Sequence, residues 1–493
     1  MSINRKPSDH TSRREFLSTV ATSSGALLVA PLVGAACRTA SVIEEVTPRR
    51  AAAPTGWDLV PEILERIHPP VFPARDFDIS AFGAVGDGKT DCTDAFRRTI
   101  AACHAAGGGR VIVPRGRWLS GPIHLRSRVN LHVLRDSTIA FQQDPSHYLP
   151  AVFTRWEGVE LMGYSPLVYA LDQTDVAVTG EGTLDGQADN AHWWSWKGNP
   201  AFGWVEGAPQ QKPARDRLFQ MAERGVPVAE RVFGDGDYLR PQFIQPYRCR
   251  NVLIEGITIR NSPMWEIHPV LCQNVTVRRV TIVTHGPNND GCDPESCRDV
   301  LIERCHFDTG DDCIAIKSGR NADGRRLATA SENIIVRNCR MKDGHGGVTI
   351  GSEISGGARN TFTEQCQMDS PNLERALRFK NNAARGGVIE HVYMRDVTVG
   401  EVSRAVLAID FHYEEGRNGA YTPVTRNVEM RNVTSRKSEY GLYLRGFENA
   451  PIGEVRLIDC AFDGVTKGNV VEHVRGLTLR NVMINGERVD RAT

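Results

Sequence analysis

The chain has 493 residues, long enough for a large core in one or two domains. Lysine plus arginine (59) balance aspartate plus glutamate (59), which excludes a nucleic-acid binder acting through bulk basicity. Glycine is abundant (46) and aromatic residues are sparse (7%), a composition suited to a fold with many turns.

Residues 1–37 read as an export signal. Ser12-Arg13-Arg14-Glu15-Phe16-Leu17 forms a twin-arginine pattern, followed by a modestly apolar stretch from Val20 to Ala36 and small residues at Gly34-Ala35-Ala36. This predicts a periplasmic or extracellular protein. Cys37 is a candidate lipid-anchor site, although Gly34 stands where such a signal prefers Leu or Val. No later run is long and apolar enough to span a bilayer. Residues 38–70, rich in Pro, Ala and charge, read as a linker with one short helix near Pro61–Ile67. The main domain is expected over 71–493.

Phe77 to Val85 reads as a strand. A helix from about Thr93 places Phe96, Ile100 and Cys103 on one face, ends at Gly107-Gly108-Gly109, and is followed by the strand Val111–Val113. Gly83-Ala84-Val85-Gly86-Asp87-Gly88-Lys89-Thr90 matches the P-loop pattern letter for letter. Asp87 would place a carboxylate against bound phosphates, and the chain lacks alternating strand–helix units. A glycine-rich turn before the helix is the better reading.

Val129–Val133, Val159–Met162 and Asp175–Val178 look like early strands of a repeat. Residues 186–240 interrupt it, carrying Trp193, Trp194, Trp196 and a helix around Arg215–Arg224. These tryptophans either stack on sugar rings or pin the insertion. From Asn251 onward the repeat is regular. Counting one, three, six and eight residues past Asn251 gives Val252, Ile254, Ile257 and Ile259; past Asn274, Val275, Val277, Val280 and Ile282; past Asp299, Val300, Ile302, Cys305 and Phe307. Asn333, Asn360, His391, Asn427, Glu454 and Gly476 continue the rule, with Thr361, Thr363 and Ser435 as misfits. Alternation, a phase break, then alternation again describes two short strands joined at a corner. One coil cannot bury its own apolar row, so stacked coils build the core. The expected fold is an all-β, right-handed parallel β-helix, with the Phe96 helix as its N-terminal cap. Of the twelve cysteines, Cys305, Cys339, Cys366 and Cys460 fall in the inward slot and read as buried thiols.

Polar residues recur at one corner of successive coils: Asn288-Asn289-Asp290-Gly291-Cys292-Asp293, then Gly310-Asp311-Asp312 through Lys317, then Gly344-His345-Gly346 through Glu353, then Arg378-Phe379-Lys380. Neighbouring coils lie roughly 4.8 Å apart, so these residues line one groove. Glycoside hydrolysis needs one protonated carboxyl for the leaving oxygen and one ionised carboxylate for water or attack. Asp290, Asp311 and Asp312 supply the crowding that pushes one carboxyl pKa upward. If Phe379 faces inward, Arg378 and Lys380 both point out and can bind a uronate carboxylate. Asn288 and Lys317 are further candidate substrate contacts.

Taken together, these motifs resemble glycoside hydrolase family 28, the polygalacturonases, whose signatures are Asn-Thr-Asp-Gly-x-Asp, Gly/Gln-Asp-Asp, Gly-His-Gly and Arg-Ile-Lys in that order. Phe82-Gly83-Ala84 through Asp91 also resembles the family's entry segment. The resemblance implies an inverting hydrolase without metal or cofactor, acting on a pectic polysaccharide or oligogalacturonate. It implies Asp311 as general acid, Asp290 and Asp312 as the groups that hold and deprotonate water, and His345 as a group tuning the acid. Arg378 and Lys380 would hold the substrate carboxylate, favouring galacturonate over a neutral sugar. Asn289 in place of Thr and Phe379 in place of Ile are departures that remove no catalytic group. The similarity to bacterial members, and an insertion able to close one groove end, point to exo action. A rhamnogalacturonan or substituted galacturonan substrate, a calcium-dependent lyase, and a non-catalytic carbohydrate-binding β-helix are the rival readings.

Overall fold

The computed structural model describes residues 55–490. The twin-arginine pattern and Cys37 lie outside them. Nearly all strands pair in parallel, and each coil contributes to up to three sheets of a right-handed parallel β-helix. The first sheet stacks strands such as Arg250–Glu255, Gln273–Arg278 and Arg298–Glu303. Its register sets Val252, Val275, Val300, Ile334, Thr361, Val392, Val428, Val455 and Leu477 in one inward row. The third sheet positions the groove. Its later strands are β1 (Ile314–Ile316), β2 (Val348–Ile350), β3 (Arg375–Lys380), β4 (Ala405–Asp410) and β5 (Tyr440–Arg445).

The repeat anchors have a backbone cause. Asn251, Asn274, Asp299, Asn333, Asn360, His391, Asn427, Glu454 and Gly476 all take positive φ, between 50° and 79°. So do the residues five further on, among them Gly256, Arg279, Arg304 and Asn338. These left-handed residues turn the chain into and between the two strands. That conformation costs most L-residues about 1–2 kcal/mol, and Asn and Asp soften it with local hydrogen bonds. Here the side chains also bond from coil to coil. Asn274 Nδ2 donates to Asn251 Oδ1 (2.7 Å), and Asn251 Nδ2 to Asp175 Oδ1 (2.7 Å). Asn360 and Asn333 repeat the ladder at 3.0 Å.

One continuous core runs through the stack from Ile79 to Val482. Thr361, Thr363 and Ser435 occupy inward slots although they are polar, and all three are buried. Each of the eleven described cysteines is buried and free. Cys249, Cys272 and Cys297 form a second thiol ladder in addition to the one read from the repeat.

Among the described residues there are four α-helices, two of them early in the chain. Helix α1 (Leu59–Arg66), within the stretch read as a linker, packs Val60 and Ile63, with neighbouring Ile67, on Leu301, Ile335, Phe362 and Tyr393. Arg66 pairs with Asp299 at 2.9 Å. Helix α2 (Thr93–Ala105) buries Ala95, Phe96, Ile100 and Cys103 against the first coils, as expected of a cap. The region read as a strand from Phe77 is only Asp76–Asp78, followed by a 3-10 turn over Ile79–Phe82. Asp87 accepts hydrogen bonds from the Lys89 and Thr90 amides, 2.8 Å each, and from the Thr90 hydroxyl. It thereby occupies the donors a phosphate would need.

One expected coil strand is corrected. Val159–Met162 belongs to an antiparallel hairpin, Val152–Trp156 with Val159–Gly163, outside the solenoid ladder. Its apolar side packs on Ala214, Leu218 and Ala222 of helix α3 (Lys212–Glu223), with Met264 and Trp265 beneath. The hairpin and the insertion therefore form a satellite layer with its own core. Trp193 packs edge-on to Tyr148 and Trp196, while Trp194 Nε1 donates to the Ser262 carbonyl at 2.8 Å. All three tryptophans pack against the main core and pin the insertion. A short helix, α4 (Asn321–Leu327), completes this side.

Candidate active site

The third sheet brings the predicted residues together. Its register aligns Ile316, Ile350, Phe379 and Ile409 inward, so Phe379 is buried and Arg378 and Lys380 emerge on the same face. The turns before β1 and β2 carry Asp311–Asp312 and His345 to that face, and the preceding coil adds Asp290. A cleft of about 240 Å³ results, lined by Asp290, Asp311, His345, Lys317, Arg378 and Lys380 among others. Every candidate site residue lines this cleft except Asp312, which lies directly beneath it.

Asp312 is fully buried. Its Oδ2 accepts from Lys380 Nζ at 2.7 Å, and its Oδ1 accepts from Thr349 Oγ1 at 2.8 Å and Arg378 at 3.4 Å. Burial opposes its charge, but Lys380 and Arg378 hold its carboxyl below the ordinary aspartate range. Asp311 Oδ1 meets His345 Nδ1 at 2.9 Å and accepts from the Asp312 amide at 2.9 Å. Burial works against ionisation there too, yet His345, backed by Lys380 and Arg378, keeps Asp311 well below the usual carboxylate range. The same hydrogen bond and charge raise His345 to about 9.

Asp290 behaves oppositely. Burial, then repulsion from Asp311 and Asp293, raises its carboxyl well above the ordinary value. Its Oδ1 has no protein partner, and Lys317 Nζ stands 3.6 Å from Oδ2. Lys317 also faces Glu353 at 3.3 Å and lies 4.2 Å above the Trp265 ring. Burial disfavours its charge, but Glu353, Asp293 and Asp290 hold the ammonium above the usual lysine range. The site thus keeps carboxylates of different proton affinity side by side, the condition for acid and base work at one pH.

Oxygens of Asp290, Asp311 and Asp312 lie within 4.8 Å of one another, a spacing a cation can bridge. Lys317 and Lys380 already occupy that neighbourhood, so a divalent ion would meet two ammonium groups there.

The insertion supplies residues that sequence reasoning did not single out. Lys197 Nζ and Arg240 both donate to Asn288 Oδ1 at 2.8 Å. Asn288 is thereby tied into the wall as well as facing the cleft. Arg215 pairs with Glu157 at 2.7 Å, and both line the cleft. Tyr413 and Glu414 close another side from the loop after β4. Nothing periodic marks these positions. Glu353 and Asp293 stood within the quoted corner segments, and only their burial reveals them. Asn289 is buried, donating to the carbonyls of Ser262 (3.0 Å) and Met264 (3.2 Å), and so shapes the turn that presents Asp290.

Residues 235–480 match the sequence profile of glycosyl hydrolases family 28. A crystal structure of an exopolygalacturonase from Thermotoga maritima is 49% identical, covers 88% of this chain and 96% of its own, and superposes with a TM-score of 0.86. The chain belongs to glycoside hydrolase family 28. Among curated relatives, a probable polygalacturonase of Vitis vinifera is 28% identical over 81% of this chain and 75% of its own length. An exo-poly-alpha-D-galacturonosidase of Dickeya chrysanthemi is 26% identical over 73% of this chain and 62% of its own. As a family 28 member the protein is a glycoside hydrolase on a parallel β-helix.

Proposed function

We propose that this protein hydrolyses α-1,4-galacturonosyl linkages of a pectin-type polygalacturonate, with inversion and from the chain end. The observation that carries the reading is the Asp290–Asp311–Asp312 trio, its oxygens within 4.8 Å of one another, set beside Arg378 and Lys380. Relatives named as polygalacturonases and exopolygalacturonases support the substrate class. The insertion, lining one side of the cleft with Lys197 and Arg215, supports exo action.

In the free enzyme the trio's proton rests on Asp290, while Asp311 is ionised against His345. A uronate carboxylate docking on Arg378 and Lys380 brings one negative charge against the two cations that help hold Asp311 ionised, and so raises the proton affinity of Asp311. The proton then passes from Asp290 to Asp311. Asp311 donates it to the leaving glycosidic oxygen as the bond to the anomeric carbon breaks. Asp290, now ionised, and Asp312 hold the attacking water, and its released proton returns to Asp290. The cycle ends with the protons where it began. Lys317 holds Asp290 in place, and Asn288 faces the substrate from the insertion side.

The carboxylate spacing is shorter than the roughly 6.5–9.5 Å that inverting glycosidases usually leave for water. Stereochemistry is therefore the decisive test. Proton NMR of the first product is expected to show the β-anomer, and an initial α-anomer would overturn the inverting assignment. Chromatography of products from purified homogalacturonan should give one short product from the outset. A ladder of lengths would mean endo action, and cleavage of only rhamnogalacturonan or a substituted galacturonan would move the substrate. The proposal places the enzyme outside the cytoplasm, where such polymers are met. It rests there on Ser12–Leu17, and sequencing the mature N-terminus together with lipid labelling at Cys37 tests it.

A further inference from the structure

The insertion lines one side of the cleft, but the groove floor continues over later coils. In register, Ile314, Val348, Leu377, Leu407 and Leu442 form one inward row. Three residues before each stand Asp311, His345, Glu374, Arg404 and Glu439, so one charged column runs from the reaction centre along the corner. The row one residue further on passes from Arg378 through Ala408 to Tyr443. Ala408 leaves the floor low between the two larger side chains. Two coil spacings, roughly 10 Å, separate Arg378 from Tyr443.

At that distance the chemistry suits an anionic sugar chain. Arg404 pairs with Glu439 at 3.0 Å, and Lys467 pairs with the same carboxylate, so two cations share one acid. Both cations remain more than half exposed, at 58% and 55%. Tyr440 and Tyr443 stand beside them with ring centroids 5.3 Å apart, offering partly exposed faces for sugar stacking. A surplus positive charge next to paired aromatic rings fits a polymer that carries a carboxylate on every unit.

We infer that Arg404, Lys467, Tyr440 and Tyr443 form a distal binding site for the departing part of a galacturonan, two coils beyond Arg378. The inference rests on the proposed polygalacturonate hydrolysis and deepens it by assigning the leaving side of the groove. The fully folded enzyme is assayed on digalacturonate and on long homogalacturonan, and the ratio of kcat/KM between them is compared with that of R404Q and Y443A. Wild type is expected to prefer the long chain. Either substitution should lower that preference about threefold to tenfold through KM, and R404Q should also flatten its dependence on salt. Arg404 is exposed, so its replacement leaves the fold intact. Hydrolysis by wild type with no preference for the long chain, or a preference that neither variant moves, overturns the distal site alone. Failure of wild type to cleave either substrate overturns the hydrolytic reading and the distal site with it.

Discussion

Lys380 Nζ lies 2.7 Å from Asp312 Oδ2, although 68 residues separate the two in sequence. Both groups are buried, Lys380 in the cleft lining and Asp312 beneath it, so each depends on the other for compensation of its charge. Lys380→Met leaves Asp312 with only Thr349 and a long contact to Arg378. It is expected to destabilise the fold by about 3 kcal/mol, and the double variant with Asp312→Asn should recover part of that loss. Denaturant titration of the two single variants and the double variant measures the coupling.

Asp311→Asn and Asp290→Asn each remove a group that carries the travelling proton. Each should lower kcat by about a hundredfold to ten-thousandfold. Asp311→Asn also gives up the pairing with His345 and should melt lower, whereas Asp290→Asn removes a carboxyl that burial and its neighbours disfavour and should melt close to wild type. Near-wild-type turnover in either would dismiss the proposed proton cycle.

The His345–Asp311 pair sets a pH window. The folded pKa of His345 is raised from 6.5 to about 9, so the stability it contributes is fully present below 6.5 and fades as pH rises through 9. Asp311 is shifted downward, so its share is present above the ordinary aspartate value and is lost only in acid. Melting curves of wild type and His345→Ala should differ most between the ordinary aspartate value and pH 6.5, and converge above pH 9. A difference that grows in alkali would refute the pairing.

Arg240 is fully buried and donates to Gln211 Oε1 (3.0 Å) and to the Pro263 (2.8 Å) and Pro287 (2.6 Å) carbonyls, as well as to Asn288. Arg240→Met strips those acceptors of their donor and frees Asn288. It should cost about 3 kcal/mol and raise KM more than it lowers kcat. Steady-state kinetics beside thermal unfolding would separate the two effects.

Thr361 sits between Ile334 and Val392 in the inward row, its hydroxyl buried without a partner. Thr361→Val keeps the shape and removes the unpaired group. Stability should rise by about 1 kcal/mol, read as a higher urea midpoint at unchanged slope.

Much of this architecture was legible because a solenoid writes its geometry as a repeat. Val252, Val275 and Val300 recur at one offset because they stack in one row, and Asn251 and Asn274 recur because they hold a left-handed bend. The corner motifs were legible for the same reason: Asp290, Asp311, His345 and Arg378 all fall in the segment after the second strand of successive coils. The hairpin at Val159 was misread because its alternation matches that of a coil strand, and alternation does not say which partner a strand will find. Lys197, Arg215 and Arg240 were invisible because the insertion that carries them packs through its own small core and obeys no period. Glu353 stood in plain view within a corner segment, but a lone carboxylate shows its role only when Lys317 is seen against it.

The eleven sheltered thiols have a consequence for where this protein can mature. With no cross-link among them, the coils close without an oxidant, and sulfur buried inside a finished stack is out of reach of one. The chain can therefore reach its final shape in a reducing environment and keep it unchanged after passing into an oxidising one.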